Sequence, residues 1–274
     1  MNLDITIGQY CEGDSFLHRM DPRAKIVAAL LYIVVIFLAK NLFGFALLCA
    51  SAVLLIAVSK IPVRIILKSM KPLMFIILFT AVINIFWMQG EKLLVSFWII
   101  RIYAEGIFNA LMIALRIILL LIGTSIFMTY TTTTIALTDG LEQLLAPLAK
   151  LKLPVHEFSM MMTIALRFIP TLVEETQKIM NAQKARGADF SSGSLMQRAK
   201  ALVPILVPLF ISAFRRADEL ATAMECRCYT GGEGRTRMNV LHARFSDFAA
   251  CLAVIILGAA VVLLNQLGGF ALSW

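Results

Sequence analysis

The sequence predicts an all-α membrane protein with about five transmembrane helices and, in addition, long cytoplasmic helices. Three observations carry this prediction. Of the 274 residues, 60% are hydrophobic and only 15% are charged. Soluble domains contain about 25% charged residues and about 45–50% apolar ones. Several apolar runs also approach the roughly 20 residues that a helix needs to cross a bilayer.

Four spans are expected in an N-terminal region, residues 1–129, and one in a C-terminal region, residues 247–274. The expected spans are Ile26–Ala39, Leu42–Val58, Pro72–Met88, Ile107–Met128 and Phe248–Leu267. Because only Lys40 and Asn41 separate the first two spans, these are expected to form a tight hairpin. Residues 89–105 are expected to form a mixed loop that can hold a short strand pair.

The distribution of basic residues predicts how the chain is oriented in the membrane. Basic side chains precede the first span and follow the second, at Arg19, Arg23, Lys25, Lys60, Arg64, Lys68 and Lys71. The connections on the opposite side are nearly neutral. By the positive-inside rule, the N-terminus is expected in the cytoplasm, and five spans then leave the C-terminus outside.

Residues 130–246 are too polar to span, yet they keep long apolar faces. Three helices are expected there: Ile135 to about Lys152 with a bend at Pro147, Pro154–Arg186, and Leu195 to about Cys228. Gly187 is expected to cap the second helix in the left-handed conformation, and the Gly231–Gly234 loop is expected to end the third. The second and third helices are apolar at first and charged later.

Each of these two long helices ends in an arginine between two small residues. The segments are Ala185-Arg186-Gly187 and Cys226-Arg227-Cys228. A cation near a helix C-terminus is also favoured by the helix dipole, by about 0.3–1 kcal/mol. The helix dipole explains a cation at each helix end, but it does not explain why each arginine has a small residue on both sides. Small neighbours leave a guanidinium protruding, suited to bidentate binding of a carboxylate. We therefore expect two docking tips for two similar soluble partners.

Other candidate groups are weaker. Arg116 lies near the middle of a span, where we expect it to contact backbone carbonyls, a polar residue such as Asn84, or water. Cys226 and Cys228 lack the second pair that a four-ligand metal site needs, so no metal or other cofactor is expected in this chain. No catalytic motif such as G-x-S-x-G or H-E-x-x-H is present, so the chain is not expected to be an enzyme.

Several motifs together resemble those of one known family. They are Asp21-Pro22-Arg23-Ala24-Lys25, Arg167-Phe168-Ile169-Pro170, Ala185-Arg186-Gly187, and Arg227 followed by Gly231-Gly232-Glu233-Gly234-Arg235-Thr236, in that order. With these motifs, the chain closely resembles the transmembrane T component of energy-coupling factor (ECF) vitamin and metal transporters. The similarity covers nearly the whole length and includes the five spans and the long cytoplasmic coupling helices.

The resemblance implies a non-catalytic energy-coupling subunit in the plasma membrane of a prokaryote. Its partners would be two cytoplasmic ABC-type ATPases, which bind ATP and magnesium, and a small substrate-binding membrane protein, the S component. Arg186 and Arg227 would insert into grooves of the two ATPases. The apolar faces of the coupling helices would carry the S component, with contacts at Met160, Met161, Ile164, Phe168, Leu206 and Phe210. The cysteines around Arg227 depart from the family's usual alanine and glycine-like residues, which adds possible redox sensitivity.

Three other functions are considered beside this one. A permease would carry solute through its own bundle and would need polar residues in several spans, where Arg116 and Asn84 are the main candidates. An intramembrane enzyme would need clustered acids or histidines inside the spans. A passive scaffold would tolerate alanine at both arginine tips. The transported substrate is not predicted, because in this family it is bound by another polypeptide.

Overall fold

The computed structural model describes residues 10–11, 13–87, 93–97, 100–147, 154–188, 190, 194–231 and 241–266. Its helices are α1 Pro22–Leu38, α2 Leu42–Ser59, α3 Val63–Trp87, α4 Ala104–Thr124, α5 Thr134–Leu145, α6 Val155–Ala185, α7 Leu195–Cys226 and α8 Phe245–Gln266. A turn of π-helix, Ser125–Tyr130, continues α4. The strands β1 Leu93–Phe97 and β2 Ile100–Tyr103 pair antiparallel, which confirms the expected strand pair.

The chain divides into two compact units. One contains Met1–Leu144 together with Val240–Trp274, and the other contains Leu145–Asn239. We call them the scaffold unit and the coupling unit. Most of α5 belongs to the scaffold unit, where Gly140 lies against Pro22 at the start of α1.

Helix α1 is the centre of the scaffold unit. Tyr32 and Ile36 on α1 are almost fully buried, together with Phe127 of the π-helical turn. Two glycines let neighbouring helices approach α1 closely. A Cβ atom at Gly123 of α4 would overlap the Tyr32 ring, and one at Gly258 of α8 would lie 2.8 Å from Val35. The glycines therefore set the spacing of α4 and α8 around α1.

Buried polar contacts hold the Pro22 end of α1. The Asp21 carboxylate caps the helix by accepting a hydrogen bond from the Arg23 amide at 2.9 Å. Asp247 of α8 accepts the Asp21 amide at 3.2 Å. The buried Lys25 ammonium donates to the Thr131 carbonyl at 2.7 Å. These contacts join the beginnings of α1 and α8 to the residue that follows the π-helical turn.

Asparagines hold the opposite end of the same bundle. The Asn265 side chain donates to the Leu38 carbonyl at 2.7 Å and accepts the Lys40 amide at 3.2 Å. The Asn41 amide group donates to the carbonyl of Leu264 at 3.3 Å. The expected α1–α2 hairpin is therefore present, and its loop is fixed to the end of α8.

The helices that could cross a membrane differ from the expected set in two places. Within the described residues, five are long and apolar enough: Leu42–Ser59, Val63–Trp87, Ala104–Tyr130, Met196–Cys226 and Phe245–Gln266. Helix α1, which corresponds to the expected first span, has 17 residues, about 26 Å of helix, and is slightly shorter than these five. One side of α1 is buried against its neighbours, whereas Leu30, Val34 and Phe37 are exposed. Helix α7 qualifies by length and composition because its first half is apolar.

Two expected boundaries were wrong. Helix α3 begins at Val63 and continues through Pro72, so the basic stretch before Pro72 is helical. Helix α5 begins after Thr133, whose hydroxyl accepts the Ala136 amide at 3.3 Å, and it ends at Leu145. Its end lies two residues before Pro147, where proline lacks the amide proton that a continuing helix would use. Residues 148–153 lie outside the described part of the chain.

Candidate functional site: two arginine-tipped helix ends

Helix α6 ends in a Schellman turn that places Arg186 at its C-cap. The Gly187 amide donates to the Lys184 carbonyl at 2.9 Å, and the Ala188 amide donates to the Gln183 carbonyl at 3.0 Å. This pair of hydrogen bonds defines the motif, which requires a left-handed residue after the cap. Gly187 supplies it with a φ of 87°. The expected glycine cap is confirmed.

Helix α7 ends in the same turn, although its sequence has no glycine at the corresponding position. The Cys228 amide donates to the Glu225 carbonyl at 2.9 Å, and the Tyr229 amide donates to the Met224 carbonyl at 3.1 Å. Cys228 takes the left-handed conformation with a φ of 56°. The helix therefore ends at Cys226, and the expectation that the Gly231–Gly234 loop ends it was wrong.

The two arginines have nearly the same backbone conformation. Arg186 has φ −87° and ψ 7°, and Arg227 has φ −93° and ψ 14°. Ala185, Gly187, Cys226 and Cys228 are all exposed, as are both arginines. Neither arginine side chain has an ion pair with a carboxylate in the described part of the chain. Each tip therefore presents an uncommitted guanidinium on a small-residue turn of defined geometry.

A polar contact joins the two tip-bearing helices below their ends. Glu175 of α6 accepts hydrogen bonds from Arg216 of α7, at 2.8 Å, and from the Ser212 hydroxyl. Both charged side chains are partly shielded from solvent. The contact lies about three turns before each arginine tip, so it ties together the charged halves of α6 and α7.

The beginning of α7 is fixed by a reciprocal cap. The Ser194 hydroxyl accepts the Gln197 amide, and the Gln197 side chain accepts the Ser194 amide at 2.9 Å. This capping box satisfies two amides that the first helical turn leaves without partners. Together with the Schellman turn, it defines both ends of α7.

The first halves of α6 and α7 carry a broad exposed apolar surface. An open apolar groove of about 470 Å³ lies at Leu172 of α6 and along α7, where it is lined by Leu206, Val207, Leu209, Phe210, Ile211 and Ala213. Phe210 and Phe214 lie ring to ring, with centroids 4.6 Å apart. In the coupling unit, only Ser159 and Ile205 are buried among the described residues. The apolar faces of these helices are thus left open.

The structure distributes the six residues expected to contact an S component over this surface. Met161, Leu206 and Phe210 are exposed. Met160, Ile164 and Phe168 are partly buried. Leu206 and Phe210 line the groove, whereas the four α6 residues lie on the apolar first half of that helix.

Arg116 contacts a backbone carbonyl, as expected. Its guanidinium is buried and donates to the Ala39 carbonyl at 2.7 Å, at the end of α1. The same group lies 5.4 Å from the centroid of the Phe45 ring. A cation at a helix C-terminus is favoured by the helix dipole. Asn84 uses its side chain on its own helix, donating to the Thr80 carbonyl at 2.8 Å.

Sequence reasoning missed two features of the site. The left-handed turn at Cys228 had no signal, because glycine or asparagine usually marks that position. The Glu175–Arg216 contact joins residues 41 positions apart on different helices. The only signal for it in the sequence was that both segments are polar.

Comparison with known proteins supports the resemblance on independent grounds. The sequence profile of the CbiQ family, described as cobalt transport protein, matches residues 13–238. A protein from Ruminiclostridium cellulolyticum is 53% identical over 262 residues, covering 96% of this chain and 95% of the relative. One from Clostridium kluyveri is 54% identical, covering 93% and 94%, and one from Bacillus subtilis is 45% identical, covering 95% and 98%.

All three relatives carry the name energy-coupling factor transporter transmembrane protein EcfT. The family resemblance predicted from the motifs is confirmed. Since the profile spans most of the sequence and the relatives align along nearly all of it, this chain belongs to the CbiQ family.

Proposed function

We propose that this chain is the transmembrane energy-coupling subunit of an ECF-type importer. It transmits ATP-driven motion from two ATPase subunits to a substrate-binding S component, for uptake of vitamins or other micronutrients. The observation that carries the proposal is the pair of exposed arginine tips with nearly equal backbone angles. Two equal tips suit two ATPases of similar fold.

The chemistry of the tips supports docking to protein carboxylates. A guanidinium offers a planar fork of donors that matches a carboxylate, and arginine is enriched at binding hot spots. Because Arg186 and Arg227 have no ion-pair partner in the described part of this chain, binding a partner breaks no such pair. ATP and magnesium are assigned to the ATPases, and this subunit is assigned no catalytic role or cofactor.

The apolar surface of α6 and α7 supports contact with a second membrane protein. Phe210 and Leu206 are exposed beside the groove, and large exposed apolar surfaces mark sites of protein or membrane contact. We assign this surface, including Met160, Met161, Ile164 and Phe168, to the S component. The Glu175–Arg216 contact lets α6 and α7 move as a pair when the ATPases close.

The orientation follows from where the ATPases act. The tips must face the cytoplasm, where ATP is available. The basic residues before α1 and at the start of α3 favour the same side. The N-terminus is therefore assigned to the cytoplasm and the C-terminus to the outside of the plasma membrane.

Charge reversal at both tips tests the docking role. The double variant Arg186→Glu, Arg227→Glu replaces two attractive contacts with two repulsive ones, so retention of the ATPases during purification should fall at least about tenfold. ATPase turnover stimulated by this subunit in proteoliposomes should fall with it. Both are measured on the full chain co-expressed with the ATPases and S component from its own organism.

The matched control reverses two other exposed cations on the same helices, Lys178→Glu and Arg198→Glu. It makes the same change in net charge away from the tips, and it should keep the ATPases bound. If the tip variant retains both ATPases as well as the control does, the docking assignment is wrong. If no ATPase co-purifies even with the unmodified chain, the passive-scaffold alternative is favoured.

A further inference from the structure

The first half of α3 carries a row of cations on one side of the helix. Arg64, Lys68 and Lys71 are spaced by four and three residues, so they fall within about 60° of one another around the helix axis. All three are exposed. From Arg64 to Lys71 the row is about 10 Å long.

This row points away from the scaffold unit. The buried residues of α3 are Ile66, Met70 and Ile77. At 100° per residue they fall about 200–240° from Arg64, on the opposite side of the helix. Packing against the bundle therefore leaves the cation row facing outward.

No carboxylate among the described residues pairs with the row. The sequence contains no aspartate or glutamate from Pro22 to Gly90. None of the three side chains has an ion pair or hydrogen bond with any described residue. Three cations without a counter-charge among those residues are open to an anion from outside the chain or to solvent.

The same row becomes apolar immediately after Lys71. Phe75 and Phe79 continue it one and two turns further, and both are exposed. Their rings are stacked, with centroids 6.4 Å apart and planes 11° from parallel. The side of α3 that begins with cations thus continues as an aromatic track inside a helix apolar enough to cross a membrane.

We propose that this face of α3 binds an anionic phospholipid, with its phosphate on Arg64, Lys68 and Lys71 and an acyl chain along Phe75 and Phe79. Helical side chains lean toward the helix N-terminus, so long cations near Lys71 reach back toward the headgroup region. Cations at the membrane end of a crossing helix attract anionic lipid headgroups. A charged end followed by an apolar track matches the two parts of a phospholipid.

A partner protein is a weaker candidate for this face. Such a protein would need carboxylates opposite the three cations. It would also need an apolar strip opposite the two phenylalanines, at the matching distance along the helix. A phospholipid has that order of groups in a single molecule and is present wherever the helix meets the bilayer. The inference does not depend on the proposed function or on the assigned orientation.

Quenching by brominated lipids tests the site. The full chain carries Phe75→Trp, which serves as the α3 probe, in a background of Trp87→Phe, Trp98→Phe and Trp274→Phe, in nanodiscs of phosphatidylcholine. Brominated phosphatidylglycerol and brominated phosphatidylcholine are then titrated separately. We expect the relative binding constant at the α3 probe to favour phosphatidylglycerol at least about fivefold, the selectivity of one cation near an anionic headgroup.

Two variants and one control position sharpen the result. Arg64→Gln, Lys68→Gln, Lys71→Gln should bring the ratio close to one, whereas the charge-preserving Arg64→Lys, Lys68→Arg, Lys71→Arg should retain the preference and confirm that the helix still inserts. A control probe on α8, made by Leu252→Trp at an exposed position in place of Phe75→Trp, should show a ratio close to one.

The proposal is overturned by any of three results. The first is a phosphatidylglycerol-to-phosphatidylcholine ratio near one at the α3 probe when the three cations are unchanged. The second is a preference for phosphatidylglycerol that remains after the three cations are replaced by glutamine. The third is an equal preference at the α8 control probe, which would reflect the net charge of the protein alone. Repeating the titration on the complex purified with its partners adds a fourth. If neither lipid quenches the α3 probe there, a protein covers this face.

Discussion

The scaffold unit and the coupling unit differ in how many of their apolar side chains they bury. In the scaffold unit, α1 buries Tyr32 and Ile36 against its neighbours, and polar contacts fix both ends of the bundle. In the coupling unit, α6 and α7 are the longest helices, yet only Ser159 and Ile205 are buried among the described residues. Both units expose apolar side chains, but only the scaffold unit also has an extensive buried core.

This difference in burial determines how easily each unit can change shape. A densely packed bundle with close glycine contacts resists deformation, because interiors of native density tolerate little change in volume. Two long helices with few buried contacts can shift together at lower cost, since local stability follows the number of buried apolar contacts. A rigid unit and a movable helix pair in the same chain are what transmission of motion requires.

Glycine substitution should affect the two units unequally. Gly123→Ala places a methyl group inside the buried Tyr32 ring, so α1 and α4 must separate. Overpacking of this kind costs about 1–3 kcal/mol or more, and the midpoint of thermal unfolding in detergent should fall clearly.

Gly187→Ala is the matched control in the coupling unit. Nothing lies within 4 Å of the added methyl group, so only the left-handed φ of 87° resists it. That cost is about 1–2 kcal/mol and is confined to the end of α6. Equal losses of global stability in the two variants would contradict the contrast between the units.

Cys228→Gly should stabilise the α7 tip slightly. Glycine removes the strain of a left-handed cysteine, worth about 1–2 kcal/mol, but it adds about 0.4–1 kcal/mol of unfolded-state entropy. The net gain should lie between about 0 and 1.6 kcal/mol, seen as slower hydrogen exchange at the Tyr229 amide. Cys226→Gly, one residue inside the helix end, should have the opposite effect. Faster exchange in Cys228→Gly would mean that the turn is not strained.

The Glu175–Arg216 contact should contribute the smallest effect. A double-mutant cycle with Glu175→Gln and Arg216→Gln, read from hydrogen exchange in α7, should give a coupling energy below about 1 kcal/mol, because both side chains are partly exposed. The more exposed Arg215–Glu219 pair, at 3.6 Å, should show almost none. A larger coupling energy for Arg215–Glu219 would show that shielding from solvent does not determine the coupling energy of these ion pairs.

Local signals in the sequence predicted most of the helices and one of the tips. Pro154 and Gly187 mark the ends of α6, because proline favours a helix start and glycine a left-handed cap. The same rules failed where a residue adopts a backbone conformation or a helix position that its type usually avoids. Cys228 adopts a glycine conformation, and Pro72 lies inside α3 although proline usually interrupts helices.

Features that depend on distant residues could not be predicted. The central place of α1 follows from close approach at Gly123 and Gly258, which are far from α1 in sequence. Apolar composition predicted α1 as a transmembrane span, but it did not predict that Tyr32 and Ile36 on one side of α1 are buried in the scaffold unit. Arg116 was expected to contact a carbonyl, yet which helix supplies it depends on how α1 and α4 pack.

The most direct test makes the two tips chemically identical and asks whether both are covered. Ala185→Cys with Cys228→Gly gives each tip the sequence Cys-Arg-Gly, and thiol labelling is followed at both positions. In the isolated chain both thiols should react quickly, since both tips are exposed.

In the complex with the two ATPases, both thiols should be protected at least about tenfold, and adding Arg186→Glu with Arg227→Glu should abolish the protection. Labelling at unchanged rates in a complex that retains both ATPases would contradict the central claim that this chain receives force through its arginine tips.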